Sequence, residues 1–305
     1  NERSEPEYMQ LWLPSPKRKE HSESWLYKYK TNLLKKLNDE IIFKENKFIE
    51  IDIEQNVEKK SEGQAQSQEK YEDIKDFIQH ANSAQSLILL GEVGAGKTTT
   101  LRHYLIKCLD DLKPDNPNAI IPVFIPLKRY KKYPEISSLI TDSINEFIDV
   151  SSSTKETFDQ DSYNFRLIFD GLDEVPYELR DEMIDSLKRA LNQKNKVIIS
   201  CRLKDYDDNF VNIHNYRLKE LTDDQIKTHL KPFYNEDAPV VFKQKIKQEQ
   251  NIHDMAKNPF LLDIMIEIME SDPEKVLPPN KGELIEKYVK IIIKKSRKDK
   301  INIPN

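Results

Sequence analysis

Apolar residues fall into two alternating rhythms through the middle of this chain. Short, nearly unbroken apolar runs stand at 86–90, 119–126, 166–170 and 196–200. Between them lie stretches with a single apolar stripe at helical spacing. Leu101, Tyr104, Leu105, Cys108 and Leu112 form one, residues 136–150 carry another, and Leu179, Met183, Leu187 and Leu191 mark a third within 178–193. Unbroken runs suit strands buried on both faces, and striped segments suit the helices that cover them. With a short fifth strand around 215–218, the pattern predicts an α/β fold: a parallel sheet flanked by helices. Pro122 and Pro126 place the second strand at a sheet edge, because proline cannot donate to a neighbour.

Outside that core the rhythm changes. Thr222-Asp223-Asp224-Gln225 reads as a capping box opening a helix with Ile226, Leu230 and Phe233 inward. A further helix is expected over 240–248. Asn258 and Pro259 then supply an N-cap and a first-turn proline to a helix that is apolar nearly all round at 260–266 and must be enclosed. A last helix over 281–295 turns Leu284, Tyr288 and Ile292 inward. On the amino-terminal side, residues 1–24 read as a proline- and charge-rich arm. Residues 25–41 read as an amphipathic helix on Leu26, Tyr29, Leu33, Leu37 and Ile41, with a solvated lysine face. Residues 48–53 alternate as a half-exposed strand. Residues 54–70 carry almost no apolar side chain and predict a mobile linker; an amphipathic segment follows at 71–81. Three units are expected: 1–70 as arm, helix, strand and linker; 71–221 as the α/β domain; 222–305 as an all-helical subdomain with the start of a following region.

Charged residues make up 33% of the 305 positions and hydrophobic ones 37%, which suits a thick polar shell around a modest core. The net charge of −5, with both signs interspersed, offers no basic surface for nucleic acid. Cys108 and Cys201 stand in apolar segments without metal-ligand spacing and read as reduced core thiols of a cytoplasmic protein. No signal peptide or membrane-length apolar run is found, so no membrane partner is expected. A chain starting at Asn1 and stopping at Asn305 reads as a piece of a longer polypeptide.

The candidate chemistry gathers on Gly91-Glu92-Val93-Gly94-Ala95-Gly96-Lys97-Thr98, between the first buried strand and its helix. The pattern G-x-x-x-x-G-K-[ST] is the phosphate-cradling P-loop. Three of the six glycines stand between 91 and 96, where they let successive N–H groups converge on one anion. Lys97 would reach the β- and γ-phosphates, and the Thr98 hydroxyl would ligate Mg²⁺. Lys97, Thr98 and Thr99 open a helix whose positive end favours the same anion. Mg²⁺ takes hard oxygen ligands shared with phosphate and water; Asp170, closing the strand at 166–170, fits as the protein carboxylate. Gly171 leaves the position beside it unfilled, and Asp173 and Glu174 add two carboxylates. One of these would polarise the attacking water, with Glu174 favoured over Asp173. Arg202, just past the strand at 196–200, would sense or neutralise the γ-phosphate. Pro259 would shape the wall around the base. His253 either touches the nucleotide or is structural.

Together the P-loop, Phe169-Asp170-Gly171-Leu172-Asp173-Glu174, Ile199-Ser200-Cys201-Arg202 and Asn258-Pro259-Phe260-Leu261-Leu262 resemble a NACHT domain, of the STAND signal-transduction NTPases related to AAA+ ATPases. The mark of that group is D-G-x-D-E, matched by Asp170, Gly171, Asp173 and Glu174. The resemblance extends over residues 70–300. It implies a sheet of order 5-1-4-3-2, ATP or ADP with Mg²⁺ on Lys97, Thr98 and Asp170, and Arg202 as sensor 1. It also implies a helical domain at 222–280 packed on the nucleotide, then the approach to a winged-helix-like part at 278–284. Such proteins are weak ATPases that act as switches. ADP holds a closed monomer, and exchange for ATP on sensing a trigger ligand permits self-association. An alternating strand ahead of the domain occurs in bacterial members of antiviral defence type, which points to that role. The alternatives are an AAA+-type motor acting on nucleic acid or protein, and a scaffold that keeps its nucleotide without turnover. Gly171 and the acidic balance speak against the first, the intact P-loop and carboxylates against the second. ATP is expected over GTP without a base-reading motif.

Overall fold

The strands of the parallel sheet run, in chain order, as β3 (Leu87–Gly91), β4 (Ile120–Pro126), β5 (Asn164–Asp170), β6 (Lys196–Arg202) and β7 (His214–Leu218). Side by side they stand β7-β3-β6-β5-β4, which is the expected order 5-1-4-3-2. This computed structural model describes residues 25–39, 49, 51–57, 68–72, 77–78, 81–82, 86–130, 135–148, 163–191, 195–208, 210, 213–231, 249–272 and 276–301. The unbroken apolar runs are central strands: all five residues of β3 are buried, as are Phe165–Phe169 and Val197–Cys201. β4 lies at the outer edge, as its prolines require. The register sets Gly91 beside Arg202 and Phe169 beside Ile199. The carboxyl ends of β3, β5 and β6 therefore share one rim.

Where one strand was expected ahead of the α/β domain, at 48–53, the structure has two. β1 (Ile53–Val57) pairs antiparallel with both β2 (Gln68–Glu72) and β7, extending the sheet to seven strands. Of the alternating run at 48–53, only Ile53 lies in a strand among the described residues, and both ends of the expected linker at 54–70 are paired backbone. The physical reason is that β7 presents a row of unpaired N–H and C=O groups. Any segment can satisfy these through its main chain, whatever its side chains. The sheet accordingly runs across the expected boundary at residue 70. Tyr71 and Glu72 belong to β2 rather than to a helix; residues 77–78 and 81–82 are helical. The arm at 1–24, the loop at 151–157 and the helix expected at 240–248 lie outside the described residues.

Helices cover the sheet. α1 (Trp25–Asn38) buries Leu26, Tyr29, Leu33 and Leu37 of the stripe expected of it; Ile41 lies outside the described residues. It packs on α2 (Lys97–Asp111), and Tyr29 Oη donates to the Pro122 carbonyl at 2.8 Å. α3 (Ile136–Asn145) and α4 (Tyr177–Leu191) complete the layer. Beyond β7 come α5 (Asp223–Leu230), α6 (Gln250–Ala256), α7 (Pro259–Ser271) and α8 (Lys281–Ile301). The capping box at Thr222 is formed in both directions: Gln225 N donates to Thr222 Oγ1 and Thr222 N to Gln225 Oε1. α7 buries Leu261, Leu262, Ile264, Met265, Ile266, Ile268 and Met269, but Phe260, expected to be enclosed, is 47% exposed. α8 buries Leu284, but Ile292, expected inward, is 42% exposed. No helix among the described residues is long and apolar enough to cross a membrane.

Candidate functional site

β3 ends at Gly91 and α2 starts at Lys97, so residues 92–96 form a tight turn, with Ala95 N donating to Glu92 O at 3.1 Å. Gly94 has φ 77°. A Cβ there would stand 2.8 Å from Asn258 Oδ1 and 2.9 Å from Phe260 Cβ, so both conformation and space demand glycine. That crowding comes from the start of α7: Asn258 Nδ2 donates to Val93 O at 2.8 Å and Phe260 N to Gly94 O at 3.3 Å. Asn258 also caps α7, its Oδ1 accepting from Leu261 N at 3.2 Å. A second segment presses on the loop from the amino-terminal side. The Ile51 Cδ1 atom lies 2.8 Å from where a side chain at Gly96 would begin. Lys219 N donates to Asp52 O and Gln225 Nε2 to Asp52 Oδ1, which holds that segment down.

Lys97 folds back across the loop, its Nζ donating to the Gly91 and Glu92 carbonyls at 2.8 and 3.1 Å. Burial pulls its pKa below the ordinary lysine value; Asp173 opposes that shift and Arg202 adds to it. The Thr98 hydroxyl donates to Asp170 Oδ2 at 2.8 Å. The other oxygen, Oδ1, accepts from Ser200 Oγ at 2.6 Å, and the same hydroxyl accepts from Gly171 N at 2.8 Å. Ser200 thus fixes both the carboxylate and the backbone turning away from it. Sequence reading passed it over; the available signal was a hydroxyl inside an otherwise apolar central strand.

The two carboxylates after Gly171 are not equivalent. Gly171 is left-handed at φ 82°, and Glu174 folds against it, its Cγ and Cδ 3.1 Å from a Cβ built there. Asp173 is 5% exposed in its side chain, and both its oxygens hold Arg202: Oδ2 takes Nε at 2.7 Å and Oδ1 takes the backbone N at 3.0 Å. Arg180 Nη2 anchors the Asp173 carbonyl from α4 at 3.2 Å. Glu174 is exposed and lines the cleft. Beneath them, burial and then Asp173 push the Cys201 thiol up to about 12, which keeps it protonated and inert.

These groups bound one cleft of about 300 Å³, lined by Val93–Thr99, Asp170, Gly171, Asp173, Glu174, Ser200, Arg202, Pro259, Phe260 and Asp263. Of the residues singled out from sequence, Gly91 and Glu92 are absent from the lining; their carbonyls hold Lys97 instead. His253 is absent too: its Nε2 lies 2.8 Å from Asp223 Oδ1, the structural reading. Asp263 was not anticipated. It stands one helical turn beyond Pro259, and its Oδ1 meets the buried His229 Nε2 at 2.8 Å.

The donor set fits Mg²⁺. Thr98 and Asp170 offer two hard oxygens, too few for an octahedral ion alone and suited to one sharing phosphate oxygens and water. Among the described residues no three His, Cys, Asp or Glu side chains converge on a metal position. Strand order and loop together make this a P-loop NTPase fold.

No family model matches the chain, and no curated protein matches it. Among solved structures, the Aeropyrum pernix Orc1 protein in complex with DNA is similar at a TM-score of 0.44 and 13% identity, over 72% of this chain and 64% of that one. The Walker-type ATPase paby2304 of Pyrococcus abyssi is similar at 0.44 and 11% identity, over 74% of this chain and 73% of that one. This chain therefore spans less than two thirds of the Orc1 chain. Likeness at that level adds nothing about the site.

Proposed function

We propose that the chain is a nucleotide-gated switch of the NACHT type. It binds ATP or ADP with Mg²⁺, hydrolyses ATP slowly, and alters its self-association when a trigger ligand, not identified by any residue here, promotes exchange. Antiviral defence is the setting we attach to it, on the resemblance of the amino-terminal segment alone. The observation that carries the proposal is the pair of hydrogen bonds from the start of α7 to the Val93 and Gly94 carbonyls. The helical subdomain grips the phosphate loop itself, so any change in that loop's shape is transmitted to the helices.

In this reading the amides of 93–99 and the α2 N-terminus cradle the phosphates. Lys97 exchanges its two carbonyl partners for phosphate oxygens. Asp170, fixed between Thr98 and Ser200, and the Thr98 hydroxyl would hold Mg²⁺, which supplies charge neutralisation on the phosphate oxygens. Glu174 accepts the proton of the attacking water, since its carboxylate is exposed to the cleft while that of Asp173 is engaged. Arg202 stabilises charge on the γ-phosphate, and Asp173 positions Arg202. Pro259 and Phe260 wall the nucleoside end.

Calorimetric titration with ADP and ATP, beside steady-state turnover, tests this. The purified chain should retain nucleotide, Lys97→Ala should weaken binding about 100-fold or more, and Glu174→Gln should bind normally but not turn over. Failure of the wild type to bind either nucleotide, or fast turnover by the monomer, would refute the switch. Turnover stimulated by DNA or by a protein substrate would favour a motor.

A further inference from the structure

At the opposite rim of the sheet, where β4 and β5 begin, lies a second cavity of about 440 Å³ that shares no residue with the nucleotide cleft. Arg166 of β5 lines it. This guanidinium is only 7% exposed, yet its partners are neutral: Nη1 donates to Asn82 Oδ1 at 3.1 Å and to the Cys108 thiol at 3.6 Å, and Nη2 to the Asn82 carbonyl at 3.4 Å. Its Nε has no hydrogen-bond partner, and one face lies over the Tyr104 ring at 5.7 Å. Directly beside it in the register stands Lys196, whose Nζ donates to the same Asn82 carbonyl at 3.4 Å. Two cations thus converge on one backbone oxygen, and among the described residues no carboxylate pairs with either. Burial, and after it the Arg166 charge, lower the Lys196 pKa. Burial raises the Cys108 pKa, so the thiol does not supply the missing anion.

A buried charge without a counter-charge is costly unless something completes it. Here Arg166 lines a cavity whose other walls include Asn116, Asn118 and Lys113. Asp111 is the one acid on the lining. A planar fork, an ammonium and amide N–H₂ groups around one space suit a tetrahedral, multiply charged oxyanion better than a planar carboxylate. We propose that this cavity is a second ligand site, taking a small phosphate-bearing anion, free or as a monoester, on Arg166 and Lys113 of its lining, with Lys196 beside Arg166 adding positive charge. It stands independently of the nucleotide reading.

The test uses the whole chain saturated with ADP and Mg²⁺, so that the P-loop is occupied, at ionic strength held constant with chloride. Inorganic phosphate or glycerol 2-phosphate is titrated while thermal unfolding is followed. Binding to the folded state gives a saturable rise in Tm. Arg166→Met should abolish that rise and leave ADP affinity unchanged. Lys196→Met, which keeps Arg166 in place should the first variant fold poorly, should weaken the apparent affinity about tenfold. A response to both probes identifies a monoester site, and a response to phosphate alone identifies the free ion. Absence of a saturable rise with either probe, or a rise unaltered in both variants, overturns the proposal and leaves Arg166 as a structural cation held by Asn82 and the Tyr104 ring.

Discussion

Asp173→Asn separates the two carboxylates that follow Gly171. In the wild type, the Asp173 oxygens take the Arg202 Nε at 2.7 Å and its backbone N at 3.0 Å. A charge-assisted bond of this kind contributes about 1.5–3 kcal/mol. The carboxylate is 5% exposed but the guanidinium 44%, so solvent screens one end and the low side of that range applies. Asparagine keeps one oxygen for one donor and turns an N–H₂ group toward the other. The loss is then about 1.5 kcal/mol, or roughly tenfold in how firmly Arg202 is held. Arg202 meets the third phosphate in the proposed mechanism, so that tenfold should appear in the preference for ATP over ADP, with ADP affinity nearly unchanged. The assay is calorimetric titration of both nucleotides on a Glu174→Gln background, where ATP persists, together with turnover of the single Asp173→Asn variant. Reduced but measurable hydrolysis with a narrowed ATP preference is expected. Hydrolysis lost as completely as in Glu174→Gln, with the preference intact, would make Asp173 the base and sink the assignment.

Asn258→Ala should cost about 2 kcal/mol in chemical denaturation, about 1 from the lost cap and about 1 from the lost bond to Val93. Asn258→Asp keeps the acceptor but not the donor, so it should recover the cap's share while nucleotide no longer protects α7 from hydrogen exchange; equal protection in wild type and Asn258→Asp would show that the bond transmits nothing. The depressed pKa of Lys97 gives two opposite pH trends. Between that lowered value and 10.5 the unfolded chain binds more protons, so stability without nucleotide rises with pH across this window. Phosphate binding needs the charged amine, so nucleotide affinity falls over the same window; both trends should vanish in Lys97→Met, as read by thermal unfolding and titration across the alkaline range.

How much of this was legible beforehand follows from the range over which each residue acts. The unbroken runs at β3, β5 and β6 announce central strands because both faces must be apolar, whatever packs on them. The P-loop is legible because its chemistry is local: glycine conformations, a lysine and a hydroxyl within eight positions. Asp170 could be placed from the end of its strand alone. The parts that escaped depend on groups distant in sequence. β1 and β2 form because β7 has an unsatisfied edge, a need met by backbone and invisible in side chains. Ile51 matters because it reaches Gly96, and Ser200 because β6 lies beside β5. The choice between Asp173 and Glu174 was open for the same reason. Their local settings are alike, and only the register of β6 against β3 and β5 brings Arg202 to one of them. A site assembled from strand ends is thus read from sequence one strand at a time, and which carboxylate holds Arg202 is set by pairings between strands.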